Sequence, residues 1–166
     1  MPSVDRPVGP QGEAIRLSEL FSPKRSDLLI YSFMYKPGGE ACPVCTSLLD
    51  GLNGSGPHIK QNLNFAVVGK ASVGELKAWS EARNWSNLTL LSSGQTTYNR
   101  DYRAEDDEQR QLMMNAFRKS DDGIFHTWAY EIINAPRGDE PNSRQRDQIW
   151  PLWSIFDLTL DGRPSD

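Results

Sequence analysis

Along the first half of the chain, apolar residues alternate between unbroken runs and helical stripes. Residues 28–35 are nearly all apolar or aromatic, which predicts a strand buried on both faces. Shorter runs at 63–68 and 87–91 predict a second and a third strand. Between these two runs, Ser72 is followed three residues later by Glu75, the pattern of a capping box. It predicts a helix whose apolar stripe is Val73, Leu76, Trp79 and Ala82.

Another helix is predicted after the first strand, beyond a Gly-Gly loop. It opens at Cys42-Pro43-Val44-Cys45, and Pro43 suits the first helical position because its missing N–H would have no partner there. An apolar stripe at helical spacing follows, formed by Cys45, Leu48, Leu49 and Leu52. We expect this helix to break or kink where glycines at 51, 54 and 56 lead into Pro57.

The second half of the chain predicts a hairpin and a closing helix. Runs at 113–119 and 124–130 flank Asp121-Asp122-Gly123, a strong hairpin signal. Residues 137–148 are polar and predict a loop, and residues 147–160 carry apolar positions at helical spacing. At the other end, residues 1–13 are expected to be extended, and residues 14–22 to form a turn and a short helix. The order of elements, without a linker, predicts one α/β domain over residues 1–166.

Charge and composition exclude several classes of function. The chain has 166 residues, a formal net charge of −4 and no basic stripe, so neither nucleic acid nor an anionic membrane is an expected partner. No apolar run approaches the roughly 18 residues of a spanning helix, and the N-terminus lacks the pattern of a signal peptide. We therefore expect a soluble, cytoplasmic protein in a reducing compartment. The sequence does not predict its oligomeric state.

The two cysteines are the strongest chemical signal. Cys42 is expected at the cap of a helix, where unpaired N–H groups and the helix dipole favour a thiolate and can lower a thiol pKa from about 8.5 towards 7. Cys45 lies on the apolar stripe and is expected to face the core. An exposed acidic thiol and a shielded thiol three residues later are what disulfide exchange requires, because the first attacks and the second resolves the mixed disulfide. Pro43 stiffens this loop.

Other residues extend or compete with this interpretation. Tyr98, Arg100 and His126 are candidates for a substrate groove beside the cysteines, together with Pro43; a structured loop and a hydrogen-bonded sheet histidine are the plainer alternatives. His58 follows Cys45 by twelve intervening residues, as in a zinc finger, but a second histidine at the right spacing is missing, so no metal is expected. Helix-start cysteines without chemistry are a further alternative.

Several segments together resemble a known family. The strand–loop–Cys-x-x-Cys–helix opening is similar to the thioredoxin-like superfamily, and more narrowly to the domain of unknown function 899 family, described as predicted dithiol-disulfide oxidoreductases. The segments that carry this resemblance are 17–21, 31–35, 41–46, 49–54, 57–58, 91–93, 97–102 and 149–153. The resemblance implies an α/β, thioredoxin-like three-layer sandwich with a central mixed β-sheet flanked by helices. It also implies that Cys42 and Cys45 are the redox pair.

The chain departs from thioredoxins at three places. Ala41 stands where they have a tryptophan, residues 28–35 contain no acidic residue, and no proline occurs near 112–113, where their cis-proline would fall. The functional prediction is thiol-disulfide exchange on a protein or small-molecule disulfide, without a cofactor. The alternatives are a peroxiredoxin-like peroxidase, which would pass through a sulfenic acid on Cys42, and a non-catalytic binding domain with zinc-bound or inert cysteines.

Overall fold

The structure, a computed structural model, describes residues 7–102, 113–131, 151–156, 158 and 159. A single turn of 3-10 helix occupies Leu17–Leu20. The strands are β1 (Asp27–Phe33), β2 (Asn64–Gly69), β3 (Leu90–Ser92), β4 (Met113–Ser120) and β5 (Gly123–Glu131). The helices are α1 (Pro43–Asn62), α2 (Val73–Ala82), α3 (Tyr98–Asp101) and α4 (Pro151–Phe156). The predicted order of strands and helices is confirmed, while the loop predicted at 137–148 lies outside the described residues.

The strands form one mixed five-stranded sheet in the order β3-β2-β1-β4-β5. The three strands β1, β2 and β3 run parallel, and β4 runs antiparallel to both β1 and β5. The central strand β1 is buried along most of its length, as its apolar run predicted. An α/β fold with a mixed sheet flanked by helices is therefore confirmed.

Side-chain alternation along the strands divides the core into two. Tyr31 and Phe33 of β1 pack with the buried face of α1 and with Leu76 of α2, on what we call the α1 face of the sheet. Leu28 and Ile30 point the other way and pack with the 3-10 turn and α3, on what we call the α3 face. Successive residues of one strand thus meet different helices, because strand side chains alternate with a period of two.

Of the break or kink predicted near Pro57, the break is wrong, since α1 continues to Asn62. A proline removes the N–H that would donate to the carbonyl four residues earlier, here that of Asn53. The side-chain amide of Asn87 donates to this carbonyl instead, at 3.1 Å, and the Asn53 side chain accepts from the Asn87 N–H at 2.9 Å. Gly56 permits the close approach, because a Cβ there would lie 2.6 Å from the Cβ of Asn87. A tertiary contact therefore supplies the hydrogen bond that the helix loses.

Helix α2 begins as the capping box predicted. The Ser72 hydroxyl accepts from the Glu75 N–H, and the Glu75 carboxylate accepts from the Ser72 N–H at 2.8 Å. At its other end, α2 is tied to α1 through Asp50, which accepts from the Trp85 indole at 2.8 Å and pairs with Arg83. These contacts hold both helices against the α1 face.

The remaining elements differ from prediction mainly at their ends. β1 stops at Phe33 because the Tyr35 N–H turns back to the Phe33 carbonyl at 2.8 Å. The hairpin of β4 and β5 is confirmed and carries an irregularity between Ala116 and Phe117. In the N-terminal segment, Val8 bridges Ser92 at the end of β3 in the antiparallel sense. Across the described part of the chain, no helix is both long and apolar enough to cross a membrane.

Candidate active site

The two cysteines lie where the chain passes from the central strand into α1. Cys42 is the N-cap residue of this helix, and its backbone N–H donates to the Met34 carbonyl at 3.1 Å. Its own carbonyl accepts from both the backbone N–H and the hydroxyl of Thr46, each at 2.9 Å. The backbone at Cys42 is thus held on both sides, which leaves its side chain directed at the start of the helix.

The Cys42 sulfur is stabilised as a thiolate. It accepts from the backbone N–H of Cys45, with an N–S distance of 3.4 Å. The neighbouring Cys45 side chain is the largest influence, and together with the backbone N–H groups of Cys45 and Val44 it lowers the pKa of Cys42 to about 6 despite partial burial. These are the unpaired donors of a helix N-terminus, for which the thiolate serves as a cap. Cys42 is therefore ionised at neutral pH.

Cys45 differs from Cys42 in both exposure and charge. It lies one turn into α1, is fully buried with Leu48 and Leu49, and belongs to the core of the α1 face. Burial raises the pKa of its thiol far above the ordinary value, and the neighbouring Cys42 raises it further. Neither cysteine is in a disulfide. The pair thus combines a reachable thiolate with a shielded, protonated thiol.

The rim of the site is apolar and is braced from α2. Pro43 occupies the first turn of α1 and is exposed, and the Val44 side chain beside it is 45% exposed. In the preceding loop, Gly38 adopts a positive φ of 64°, and its N–H donates to the Glu75 carboxylate at 2.7 Å. Hydrogen bonds from the Ser72 hydroxyl and from the Gly38 N–H lower the pKa of Glu75. The loop before Cys42 is therefore anchored to the helix cap of α2.

The structure places the other predicted site residues, Tyr98, Arg100 and His126, away from the core cluster that holds the Cys45 side chain. Tyr98 is buried in the core of the α3 face, across the sheet from the Cys45 side chain. The ring of His126 lies against Phe117 and Tyr102 on that same face. Arg100 is exposed and forms an ion pair with Asp101 at 3.6 Å. The structure thus brings Tyr98 and His126 into one neighbourhood on the α3 face, while Cys45 packs on the other.

A polar cluster joins these aromatic residues. Asn115 of β4 is fully buried, its side-chain oxygen lies 2.8 Å from Nε2 of His126, and its amide donates to the Tyr102 carbonyl at 3.4 Å. Tyr98 packs against Tyr102 with ring centroids 4.9 Å apart. Burial raises the pKa of the Tyr98 hydroxyl, while Asn115 and Ser32 oppose that rise. The hydrogen-bonded sheet histidine, one of the alternatives for His126, is the arrangement seen.

His58 and the cysteines do not form a common site within the chain. His58 is exposed on α1, thirteen residues beyond Cys45, a separation of roughly 20 Å along a helix. Among the described residues, no three His, Cys, Asp or Glu side chains gather as they would around a metal ion. In the described part of the chain, the candidate site is therefore the pair of thiols of Cys42 and Cys45.

Two residues near the cysteines were missed from the sequence. Tyr31 is fully buried in the same core cluster as Cys45, and its position in the apolar run of β1 indicates only a core residue. The capping-box pattern predicts one role of Glu75, whose carboxylate also accepts a hydrogen bond from the Gly38 N–H. Its place on α2 offered no signal for this second contact, because the loop and the cap are 37 residues apart.

This architecture is a thioredoxin-like fold, in which the helix that carries the cysteine pair follows the central strand. More narrowly, residues 6–166 match the family described as "Bacterial protein of unknown function (DUF899)", and the chain belongs to that family. The sequence matches no curated protein.

Solved structures of the same fold include several peroxiredoxins. Peroxiredoxin Q of Xanthomonas campestris has a TM-score of 0.59 at 14% identity, covering 76% of this chain and 78% of its own. Prx3 of Vibrio vulnificus has a TM-score of 0.60 at 19% identity, covering 86% and 91%. A variant of PrxQ from Xylella fastidiosa has a TM-score of 0.60 at 12% identity, covering 92% and 90%. At such low identities these likenesses establish the fold.

Proposed function

We propose that this chain is a cytoplasmic thiol–disulfide oxidoreductase in which Cys42 attacks a substrate disulfide and Cys45 resolves the product. The observation that carries the proposal is the pairing of two unlike thiols. Cys42 is partly exposed with its pKa lowered to about 6, and its strongest stabilising neighbour is the buried Cys45. A fold shared with peroxiredoxins and a Cys-x-x-Cys at a helix start are consistent with redox chemistry.

The reaction follows from the two environments. The Cys42 thiolate displaces one sulfur of the substrate disulfide and forms a mixed disulfide. This removes the negative charge from Cys42, and with it one of the influences that hold the Cys45 thiol protonated. Cys45 then attacks Cys42, closes the Cys42–Cys45 disulfide and releases the second substrate thiol. The exposed Val44 and Pro43 beside Cys42 offer an apolar contact to the substrate, which suits a peptide segment around a disulfide.

Trapping experiments test this assignment. Cys45→Ser, incubated with a disulfide-linked peptide, is expected to accumulate a mixed disulfide on Cys42 that intact-mass measurement detects. Cys42→Ser is the matched control and is expected to form no adduct, because the remaining thiol is buried and protonated. An adduct on Cys45 in this control, or no adduct in either variant, would contradict the proposed roles.

The peroxidase alternative has its own test. A thiolate of low pKa at Cys42 also suits attack on a peroxide, and the peroxiredoxins that share the fold give this alternative its weight. Hydrogen peroxide and the disulfide peptide are offered separately to the reduced wild-type protein, and oxidation of the dithiol is followed by stopped flow. Disulfide exchange predicts faster oxidation by the peptide. Faster oxidation by peroxide, with a sulfenic acid trapped on Cys42 of the Cys45→Ser variant, would favour the peroxidase.

A further inference from the structure

The loop that leads from β1 to Cys42 is closed at its base by backbone hydrogen bonds. The Met34 carbonyl accepts from the Cys42 N–H at 3.1 Å, and the Tyr35 carbonyl accepts from the N–H of Ala71, just beyond β2, at 2.7 Å. Residues 36–40 lie between these contacts, are largely exposed, and form what we call the loop tip. Cys42 thus follows a loop whose base is fixed by its own backbone and whose tip needs a separate support.

The loop tip is held by helix α2. The Gly39 N–H closes a turn by donating to the Lys36 carbonyl at 3.1 Å, and Gly38 within this turn has a positive φ of 64°. The Gly38 N–H donates to Oε1 of Glu75 at 2.7 Å. Among the described residues, this is the hydrogen bond that joins the loop tip to another element. Glu75 therefore acts on the cysteine loop from a helix 37 residues further along the chain.

Both carboxylate oxygens of Glu75 are in use, one for each element. Oε2 accepts from the backbone N–H of Ser72 at 2.8 Å and from its hydroxyl at 2.6 Å, and Ser72 is the N-cap residue of α2. The capping box thus fixes the orientation of the carboxylate and presents Oε1 to Gly38. A side chain with one acceptor atom would have to serve either the helix cap or the loop tip. A carboxylate at this position serves both.

We propose that Glu75 is a positioning residue for Cys42, which holds the loop tip so that the Cys42 sulfur stays against the N–H groups that open α1. The proposal rests on the proposed dithiol exchange and deepens it. Three residues separate Gly38 from Cys42, and the last of them, Ala41, is buried in the core of the α1 face. A shift of the tip therefore reaches Cys42 through a short, packed segment. The contact at stake is the 3.4 Å hydrogen bond from the Cys45 N–H to the Cys42 sulfur.

Positioning and direct charge predict opposite effects on the Cys42 thiol. A carboxylate close to a thiolate disfavours the ionised form, so if Glu75 acted as a charge, its removal would lower the Cys42 pKa. Loss of positioning should raise the Cys42 pKa instead, because the sulfur loses part of its hydrogen bond from the Cys45 N–H. The other charged side chains of the loop tip, Lys36 and Glu40, are exposed and remain in every variant. The direction of the change therefore separates the two effects.

The test measures the alkylation rate of Cys42 against pH in Glu75→Ala. We expect the midpoint to rise by about half a unit, which below the midpoint is about a threefold lower rate at a given pH. The rate of mixed-disulfide formation with a disulfide peptide should fall in parallel. Gly38→Val disturbs the same contact from the loop side, because a β-branched residue is strained at positive φ. A Cβ there would meet nothing within 4 Å, so this variant acts through the backbone and should shift the midpoint the same way.

The matched control is Ser72→Ala, which removes the hydroxyl from the same capping box. The Glu75 carboxylate can still accept from the Gly38 N–H and from the backbone N–H of residue 72, so the midpoint should stay at its wild-type value. Thermal unfolding of each variant checks that its fold is retained.

Three results would overturn the role of Glu75: an unchanged midpoint in Glu75→Ala, a lowered one, or an equal rise in Ser72→Ala. Each of them leaves disulfide exchange itself standing. Failure of the wild-type protein to form any mixed disulfide would instead overturn the proposed function, while the alkylation midpoints would still report whether Glu75 positions Cys42.

Discussion

The two faces of the sheet are built from the same strands and yet differ in kind. On the α1 face, the core is apolar and aromatic, with the Cys45 thiol inside it and Cys42 packed against it. On the α3 face, the aromatic rings of Tyr98, Tyr102 and Phe117 pack against one another, and the buried amide of Asn115 is hydrogen-bonded to His126. Adjacent residues Tyr31 and Ser32 of β1 contribute to opposite faces.

Polarity alone does not locate the thiol chemistry in this fold. On the α3 face, the polar side chain of Asn115 is hydrogen-bonded to the His126 side chain and to the Tyr102 carbonyl, so these polar groups serve packing. The α1 face has few, and there a thiolate is held by helix N–H groups beside a thiol kept neutral by burial. Both faces therefore contribute buried core, and the two thiols lie on one of them.

The largest effect is expected in the core of the α1 face. Leu49→Ala removes a fully buried side chain of α1 and should lower the free energy of unfolding by about 2–5 kcal/mol, measured by urea denaturation. Val44→Ala is the matched change on the exposed side of the same helix and should cost less than about 0.5 kcal/mol. Similar costs for both would mean that α1 presents a different side to the sheet.

Asn115→Ala probes the α3 face. It removes the partner of His126 and of the Tyr102 carbonyl, and should lower the free energy of unfolding by about 1–3 kcal/mol. The alkylation rate of Cys42 should keep its wild-type pH dependence, because these contacts lie across the sheet from the Cys45 side chain. A shift in that pH dependence would break the separation of the two faces.

Unlike Asn115→Ala, the Cys45→Ala substitution should change the pKa of the Cys42 thiol. In the wild-type protein, the rate of Cys42 alkylation should fall as the pH drops through about 6, because the thiolate is then protonated. Loss of the Cys45 thiol removes the largest influence on the Cys42 pKa, so the midpoint should rise by about one unit, equivalent to about 1.4 kcal/mol. An unchanged midpoint would mean that the N–H groups at the helix N-terminus alone lower the pKa of Cys42.

The smallest effect is expected at Arg100. Its guanidinium is exposed and paired with Asp101, so Arg100→Ala should change the free energy of unfolding by less than about 0.5 kcal/mol and leave the Cys42 pKa unchanged. The same alkylation profile checks this. A rise in the Cys42 midpoint would instead support the sequence-based prediction that Arg100 borders the cysteine site.

Local patterns were sufficient for much of the fold. The unbroken apolar run of β1, the capping box of α2 and the Asp-Asp-Gly turn of the hairpin each correspond to an element in the structure. The placement of Cys42 at the start of a helix and of Cys45 on its buried stripe also followed from spacing and from Pro43. These features depend on residues a few positions apart, so their physical causes are present in the sequence itself.

The features that came from tertiary structure all depend on contacts between distant residues. Helix α1 passes Pro57 because Asn87 supplies the lost hydrogen bond, and Glu75 braces the cysteine loop from another helix. The register of the β4–β5 hairpin, with its irregularity between Ala116 and Phe117, decides that the His126 side chain lies on the α3 face. Residue spacing determined that the two thiols would differ in exposure. The packing of β1 against α1 decided which strand residues share a core with the buried thiol, because only the folded sheet brings these two elements together.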